Sequence, residues 1–419
     1  MKTMKIPSGW KLCKQSDVSA FYNGRAYKLS EWETEGTPVI RLQNLTGTGN
    51  EYYYSNLKLP EHQYADNGDL LYMWSATFGP KIWQGEKAIY HYHIWKVVCK
   101  DDVLDQSFMY YNLDFITESM KSKTNGSTML HFTKKGMEEH EILLPPLAEQ
   151  EKIAEYLSTV DKKIDLIDQK IAETVKLKTG LMQKLFSEGV GVQDSDGNWQ
   201  PHSEFQDSPF GKVPSSWALE TLEQRLDVIK DGTHFSPKSK EGPCKYLTSK
   251  NIRFGELDLT NISYISQEEH DRIYKGSPVK YGDILLTKDG ANTGNAAINT
   301  LEEPFSLLSS VAYLRGSEED VDHGYLLQLL LSPKGQSMMK SAMAGQAITR
   351  LTLKKIGAFV LPFAPIDEQN EIERILSTVD KKLQLLKKQK FETQQLKKGL
   401  MQKLLTGEWR VPVEETEAA

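Results

Sequence analysis

The sequence of 419 residues predicts an α+β protein: two mixed α/β domains joined by two long helices packed as an antiparallel coiled coil, with internal pseudo-twofold symmetry. Three observations predict it. A 37-residue stretch occurs twice. Each copy carries the hydrophobic period of a coiled coil. Each is preceded by short strand-like runs bounded by turn residues.

The repeat is Glu149–Leu185 and Glu368–Leu404, aligned without a gap at an offset of 219, with 21 of 37 positions identical. STVDKK (158–163, 377–382) and GLMQKL (180–185, 399–404) recur intact. Strings repeated in register mark a duplication. Neither copy contains proline. Ile153, Leu157, Val160, Ile164, Ile167 and Ile171 alternate steps of four and three, as do Ile372, Leu376, Val379, Leu383 and Leu386. The next heptad places hold Thr174/Thr393 and Lys178/Lys397, while apolar character moves to Leu177/Leu396 before Leu181/Leu400 and Leu185/Leu404. That drift predicts local unwinding of the supercoil. Glu149, Glu151, Asp367 and Glu368 stand at the helix starts, where the helix dipole favours acid. Pro145, Pro146 and Pro365 lie just upstream.

The duplication extends into the flanking segments. Ile6–Leu12 (IPSGWKL) matches Val213–Leu219 (VPSSWAL), and Asn44-Leu45 matches Asn251-Ile252. Gly68-Asp69-Leu70-Leu71 matches Gly282-Asp283-Ile284-Leu285, and Gly126 and Thr133 match Gly345 and Thr352. Similarity is dense in the helices and sparse between these points. Two readers of different targets on one scaffold would diverge in this way. The expected boundaries are 1–147 and 213–364 for the domains and 148–188 and 365–407 for the helices. The linker is 189–212 and the tail 408–419. Strands are expected at Pro38–Leu42, Asp69–Trp74, Ile94–Cys99, Asp283–Thr287 and Leu307–Leu314, and helices at Ser107–Met120 and Tyr325–Ser332. The linker is rich in turn formers and low in apolar periodicity.

Composition narrows the class. Apolar residues make up 39% and charged residues 26%, as in ordinary globular proteins. No apolar run is long enough to span a membrane, and the N-terminus lacks a secretory apolar core, so a cytoplasmic protein is expected. Cys13, Cys99 and Cys244 are scattered and expected as reduced thiols. The net charge is −6, but each domain is nearly neutral; the linker and the tail hold net −3 each. A nucleic-acid surface must therefore come from local patches. No phosphate loop and no N-P-P-Y-type loop is present; Leu144-Pro145-Pro146-Leu147 lacks the amide or acid. Gly290–Gly294 is followed by Asn295 rather than Lys. His91 and His93 share one side of an apparent strand, but no cluster with zinc-ligand spacing is visible.

With two sparse α/β domains alternating with two near-identical helices, P-x-x-W at each domain start and P-x-x-x-E-Q or similar at each helix start, the chain resembles the specificity subunits of type I restriction–modification systems. The linker string FQDSPFGKVPSSW fits the same pattern. The resemblance covers essentially the whole chain. It implies two target recognition domains, each reading one half of a split site in double-stranded DNA. It also implies two modification subunits that bind S-adenosylmethionine and methylate adenine at N6, and restriction subunits that use ATP and Mg. Those cofactors belong to the partners; the resemblance implies no catalysis and no cofactor in this chain. Two other readings stay open: a related system with a fused methyltransferase–nuclease partner, and a coiled-coil scaffold with no DNA role.

Four stretches are locally basic. Lys121–Lys135 offers Lys121, Asn125, Ser127, Thr128, Lys134 and Lys135, and its repeat partner Lys340–Lys355 offers Lys340, Gln346, Arg350, Lys354 and Lys355. Glycine loops flanked by cations suit phosphate approach with base reading; a solvated lysine face is the simpler alternative. Lys230–Arg253 supplies Lys230, Thr233, His234, Lys250, Asn251 and Arg253, or is an ordinary exposed hairpin. Lys81–Lys100 carries Lys81 and Lys87 with Trp83, Tyr90 and Tyr92 interleaved, which stack on a base or simply fill a core. The loops after the matched Gly-Asp strands, Trp74–Gly79 and Lys288–Thr293, add Lys288 and Asn292. Identical partners bind equivalent patches, so Lys162, Lys163 and Gln183 with Lys381, Lys382 and Gln402 are the expected docking residues; packing within the coil is the alternative. Each repeat would span roughly 55 Å at about 1.5 Å per residue, so helix length is expected to set the spacing of the half-sites.

Overall fold

The computed structural model describes residues 6–123, 133–343 and 350–413. Asn125, Ser127, Thr128 and Gln346 lie outside the described residues. The long helices run Leu147–Glu188 and Ile366–Leu405. The chain divides into two compact units, 1–168 with 388–419, and 169–387. Each division falls inside a long helix. Each unit therefore holds one α/β domain, the first half of one helix and the second half of the other.

In the first unit, Ser19–Asn23, Ile94–Cys99, Leu70–Ser75 and Thr77–Ile82 form an antiparallel sheet in that order. A second sheet has the order Tyr53–Ser55, Thr37–Ile40, Ala88–Tyr90, Tyr64–Ala65, with its central pair parallel. Lys11–Lys14 pairs with Glu141–Leu144 beside the helix Gln106–Lys123. The second unit repeats this plan. Val228–Asp231, Val311–Arg315, Ile284–Thr287 and Ala296–Ile298 form the antiparallel sheet. Ser263–Ile265, Cys244–Leu247 and Ser306–Leu307 form the second, again with a parallel pair. Ala218–Thr221 pairs with Val360–Phe363, and the helix is His323–Leu331.

The matched Gly-Asp strands sit between two cores. Leu70 and Tyr72 face one cluster, Leu71 and Met73 the other; Ile284 and Leu286 are likewise opposed to Leu285. A strand covered on both faces shows no polar alternation, which is why both read as continuous apolar runs. The leading aspartates close turns and hold a cation from the next strand: Asp69 pairs with Lys96 at 2.6 Å, Asp283 with Arg315 at 2.6 Å.

The helices pack antiparallel within each unit. In the first, Asp161 meets Lys397 at 2.8 Å; in the second, Lys178 meets Asp380 at 2.6 Å. These are one contact in two copies, since Asp380 lies 219 residues after Asp161 and Lys397 lies 219 after Lys178. The seam continues through Thr174 and Thr393, which are buried with their hydroxyls bonded to the carbonyls of Lys170 and Gln389. Leu177 and Leu396 are 52% and 53% exposed. The expected drift toward these leucines is therefore corrected. A polar residue does not break the seam here, because the threonine hydroxyl is satisfied by its own helix and the lysine by a facing aspartate.

The strings at each helix start are locks. Glu149 and Glu368 are buried, at 2% exposure each. Glu149 accepts Trp10 Nε1 at 3.0 Å and both arms of Arg410 at 2.7 and 2.8 Å. Burial alone would raise its pKa, but the hydrogen bonds from Arg410 and Trp10 hold the carboxyl below the usual range. Glu368 accepts Trp217 Nε1 at 2.8 Å and the backbone N–H groups of Val190 and Gly191, and faces His202 Nε2 at 3.0 Å. These glutamates therefore do more than complement a dipole. The next residues, Gln150 and Gln369, each bond the preceding loop and the start of the domain helix: Gln150 takes Asp105 N at 2.9 Å, Gln369 takes Asp322 N at 3.1 Å.

Two further differences from expectation have local causes. Leu307–Leu314 is two strands, because a turn at Leu308–Ser310 passes the chain from one sheet to the other. The linker folds into two hairpins, Val192–Gln193 with Trp199–Gln200 and Phe205–Ser208 with Gly211–Pro214. Asp194 closes the first by accepting from the N–H groups of Asp196 and Asn198.

Candidate nucleic-acid interface

One end of each domain is built by the same set of main-chain hydrogen bonds. In the first unit the chain leaves Ser19–Asn23 through Gly24 and Arg25. Arg25 N donates to Tyr90 O at 3.0 Å, and Tyr92 N donates back to Arg25 O at 3.0 Å. His91 N donates to Ile40 O at 2.9 Å, tying the ends of the parallel strands, and Trp74 N donates to His93 O at 3.2 Å. In the second unit Thr233 N donates to Leu307 O at 2.7 Å and Ser309 N donates to Thr233 O at 2.9 Å. Leu308 N reaches Leu247 O at 3.0 Å and Lys288 N reaches Ser310 O at 2.9 Å. Gly24 and Gly232 occupy the same crossing, where a Cβ would collide with the carbonyls of His91 and Leu307 respectively.

Asn44 and Asn251 complete the frame. Asn44 Oδ1 accepts Arg41 N at 2.8 Å, and Asn251 Oδ1 accepts Thr248 N at 3.0 Å. Each amide N donates to two carbonyls, of Gly49 and Glu51 in one case and of Asp258 and Asn261 in the other. Arg41 therefore corresponds to Thr248, one of six matched positions. Arg25 corresponds to Thr233, Trp74 to Lys288, His91 to Leu308, Tyr92 to Ser309 and His93 to Ser310.

The side chains presented at these six positions differ at every one. The first unit carries a connected set of rings and cations. Trp32 stacks on Tyr27 with centroids 4.5 Å apart, lies 4.6 Å from Tyr53 and 6.2 Å from His91. Arg25 lies over Tyr27 at 4.6 Å and Arg41 over Tyr53 at 4.8 Å. Tyr92 and His93 are 3.8 Å apart, and Trp74 donates Nε1 to Tyr92 O at 2.8 Å. Burial, then His93 and Arg41, push His91 down to about 4, and burial lowers His93, so both rings are neutral near pH 7. The second unit is hydroxyl-rich. Lys288 pairs with Asp231 at 3.1 Å, which also faces His234 at 3.4 Å. Asn292 donates to Ser249 O at 3.4 Å, and the main chain at Asp289 pairs with that at Arg350 in an isolated antiparallel bridge.

The structure sorts the expected residues. In the second unit His234, Lys250, Asn292 and Arg350 gather around the hydroxyl-rich end, with Lys230 exposed on the strand leading to it. Three others are corrected as base readers. Asn251 is buried and bonded to backbone at both ends. Thr233 is buried with its hydroxyl bonded to Phe235. Lys288 is only 12% exposed in its ion pair. Lys355 is bonded to Ala342 O, and Arg253 is held by Asp258 at 2.9 Å. Lys340 and Lys354 are exposed.

In the first unit Lys81 is exposed, Lys87 is bonded to Glu61, and Lys121 lies 3.0 Å from Glu118. Lys134 and Lys135 face Glu138 and Glu139 at 3.4 and 3.8 Å. They sit on a short helix capped by Thr133, as Lys354 and Lys355 sit on one capped by Thr352. Of the interleaved aromatics, Trp83 and Tyr90 belong to the core and only Tyr92 is exposed. The expected docking residues Lys162, Lys163, Gln183, Lys381, Lys382 and Gln402 are all exposed. Among the described residues no three His, Cys, Asp or Glu side chains gather as a metal site, and no helix is long and apolar enough to cross a membrane.

Sequence reasoning missed Arg25, Tyr27, Trp32 and Tyr53. One signal was present: Asn23-Gly24-Arg25 and Asp231-Gly232-Thr233 place a glycine at the same crossing, at an offset of 208.

The profile of the type I restriction modification DNA specificity domain matches residues 7–176 and 229–395, once in each copy. The chain is 26% identical to the type I restriction enzyme MjaVIII specificity subunit of Methanocaldococcus jannaschii, over 98% of this chain and 95% of that one. It is 25% identical to the EcoBI specificity subunit of Escherichia coli, over 88% and 79%. The type I restriction–modification S subunit of M. genitalium superposes with a TM-score of 0.54 at 16% identity, covering 97% of this chain and 98% of that one. A chain from a study of complex assembly and conformational transition in the type I system gives 0.58 at 16%, covering 97% and 100%. The profile accounts for most of the residues in both copies of the module, and the chain belongs to the family of type I restriction–modification specificity subunits.

Proposed function

We propose that this chain addresses a type I restriction–modification complex to a bipartite site in double-stranded DNA, one half read by each domain, and that it catalyses nothing itself. The observation that carries this is the matched pair of domain ends: one backbone frame presents rings, arginines and imidazoles in one copy and hydroxyls, lysine and asparagine in the other. A fixed frame with exchanged side chains supplies two different patterns of donors and acceptors for base edges. Exposed lysines nearby supply the sequence-independent attraction to phosphate.

The methyltransferase and restriction chemistry, with S-adenosylmethionine, ATP and Mg, belongs to partner subunits. Two copies of one modification subunit would dock on the duplicated helix strings through Lys162, Lys163 and Gln183 and through Lys381, Lys382 and Gln402. The test is to express the chain with its methyltransferase partner in a host free of adenine methylation and map N6-methyladenine. The expected mark is one split, asymmetric sequence. Methylation scattered without a sequence, or no retention of the complex on DNA, contradicts the proposal.

A further inference from the structure

We infer that Arg41 is a specificity-determining residue that reads a G·C pair in the half-site of the first domain; this rests on the function proposed above. Arg41 directly follows the strand Thr37–Ile40, where the shared frame places Thr248 in the other domain. Its guanidinium lies 4.8 Å over the ring of Tyr53, which is 41% exposed and has the ring of Trp32 4.6 Å away.

Two arginines stand in this cluster, and their surroundings separate them. Arg25 is bonded to Glu31 at 2.6 Å, and its Nη1 is buried. Arg41 has no carboxylate within ion-pair distance among the described residues, and it is half-buried rather than free in solvent. His91 and His93 on the adjoining loop are neutral near pH 7 and so place no like charge beside it.

An exposed phosphate contact needs only charge on a flexible stem, as the lysines provide. A planar fork held by a ring is preorganised instead for two parallel hydrogen bonds, and the guanine edge in the major groove offers two acceptors, O6 and N7, at that spacing. Tyr92, 39% exposed on the loop that bonds to Arg25, extends the same surface. The other domain has Thr248 at this place, so the two half-sites are read by different chemistry at the same point of the frame.

The experiment uses the full chain with its methyltransferase partner: N6-methyladenine mapping in cells, and binding to duplexes carrying each base pair at each position, at several salt concentrations. Wild type, Arg41→Gln and Arg41→Lys are compared. Both variants should lose discrimination at one G·C position of one half-site by roughly 10- to 100-fold, with the other half unchanged and the salt slope of Arg41→Lys as in wild type. Arg41→Lys keeps a cation over Tyr53 and carries the test should Arg41→Gln not fold. An unchanged site in both variants overturns the inference and leaves the proposed function standing. So does equal weakening on every sequence with a salt slope lowered by about one, which would make Arg41 a phosphate contact. A wild-type complex that marks no bipartite site overturns both.

Discussion

The helix starts and the domain ends of this chain treat duplication in opposite ways. Along the helices the side chains repeat, and with them a tryptophan, a loop and an ion-pair partner. Trp10 and Trp217 donate to Glu149 and Glu368, Gln150 and Gln369 hold equivalent loops, and Asp161 and Asp380 take equivalent lysines. At the domain ends the frame repeats, with Gly24/Gly232 and Asn44/Asn251 in it, but the side chains it presents do not. Arg25, Arg41, Trp74, His91, Tyr92 and His93 stand where Thr233, Thr248, Lys288, Leu308, Ser309 and Ser310 stand in the other copy. A buried carboxylate with several donors tolerates no other residue, because each donor would be left unpaired. A partly exposed position on a hydrogen-bonded turn tolerates many. Constancy of side chains marks the scaffold, and constancy of backbone alone marks the surface that is free to vary.

The largest expected effect breaks the scaffold side of this comparison. Glu368→Ala removes the acceptor of Trp217 Nε1 and of the Val190 and Gly191 N–H groups, and should cost about 3–5 kcal/mol of unfolding free energy by denaturant titration. Glu149→Ala should cost less, because the Arg410 side chain is 44% exposed and can turn to water while Trp10 alone is left unpaired. Equal losses in the two variants would mean that the locks do not differ as their partners do.

A smaller effect sharpens the other side. In the folded first unit His91 titrates at about 4, below the ordinary 6.5, because it is buried beside His93 and Arg41. Between these values the unfolded chain binds a proton that the folded chain does not. The first unit should therefore lose stability as pH falls from about 6.5 toward 4, by on the order of 1 kcal/mol at pH 5 once solvent screening of the partly exposed ring is allowed for. His91→Gln should flatten that part of the pH profile measured by thermal melting. The second unit, with Leu308 at this position, has no counterpart. A slope unchanged in His91→Gln would place the ring in water.

Much of the fold was legible in the sequence, and the reasons are local. The helices announced themselves through an ungapped repeat, and the buried central strands through Gly-Asp followed by apolar residues. Lys178 and Lys397 were misleading, since a lysine on a heptad position reads as a break until its aspartate is seen across the seam. The linker hairpins are short and half-exposed, with no apolar period to betray them. At the candidate interface, charge was the wrong guide. It selected Lys288, Asn251 and Thr233, which are committed to internal partners, and passed over Trp32 and Tyr53. Those two meet Arg41 from loops that only the sheet topology brings together.

The most direct measurement replaces the first domain by a copy of the second, joined at the matched points before each long helix and after each P-x-x-W turn, and maps the adenine methylation that results. If the address lies in side chains carried on one repeated frame, the hybrid should mark a site in which the second half-sequence occurs twice, inverted. A folded hybrid that still marks the parental asymmetric site would contradict the account, because the address would then reside outside the exchanged domain.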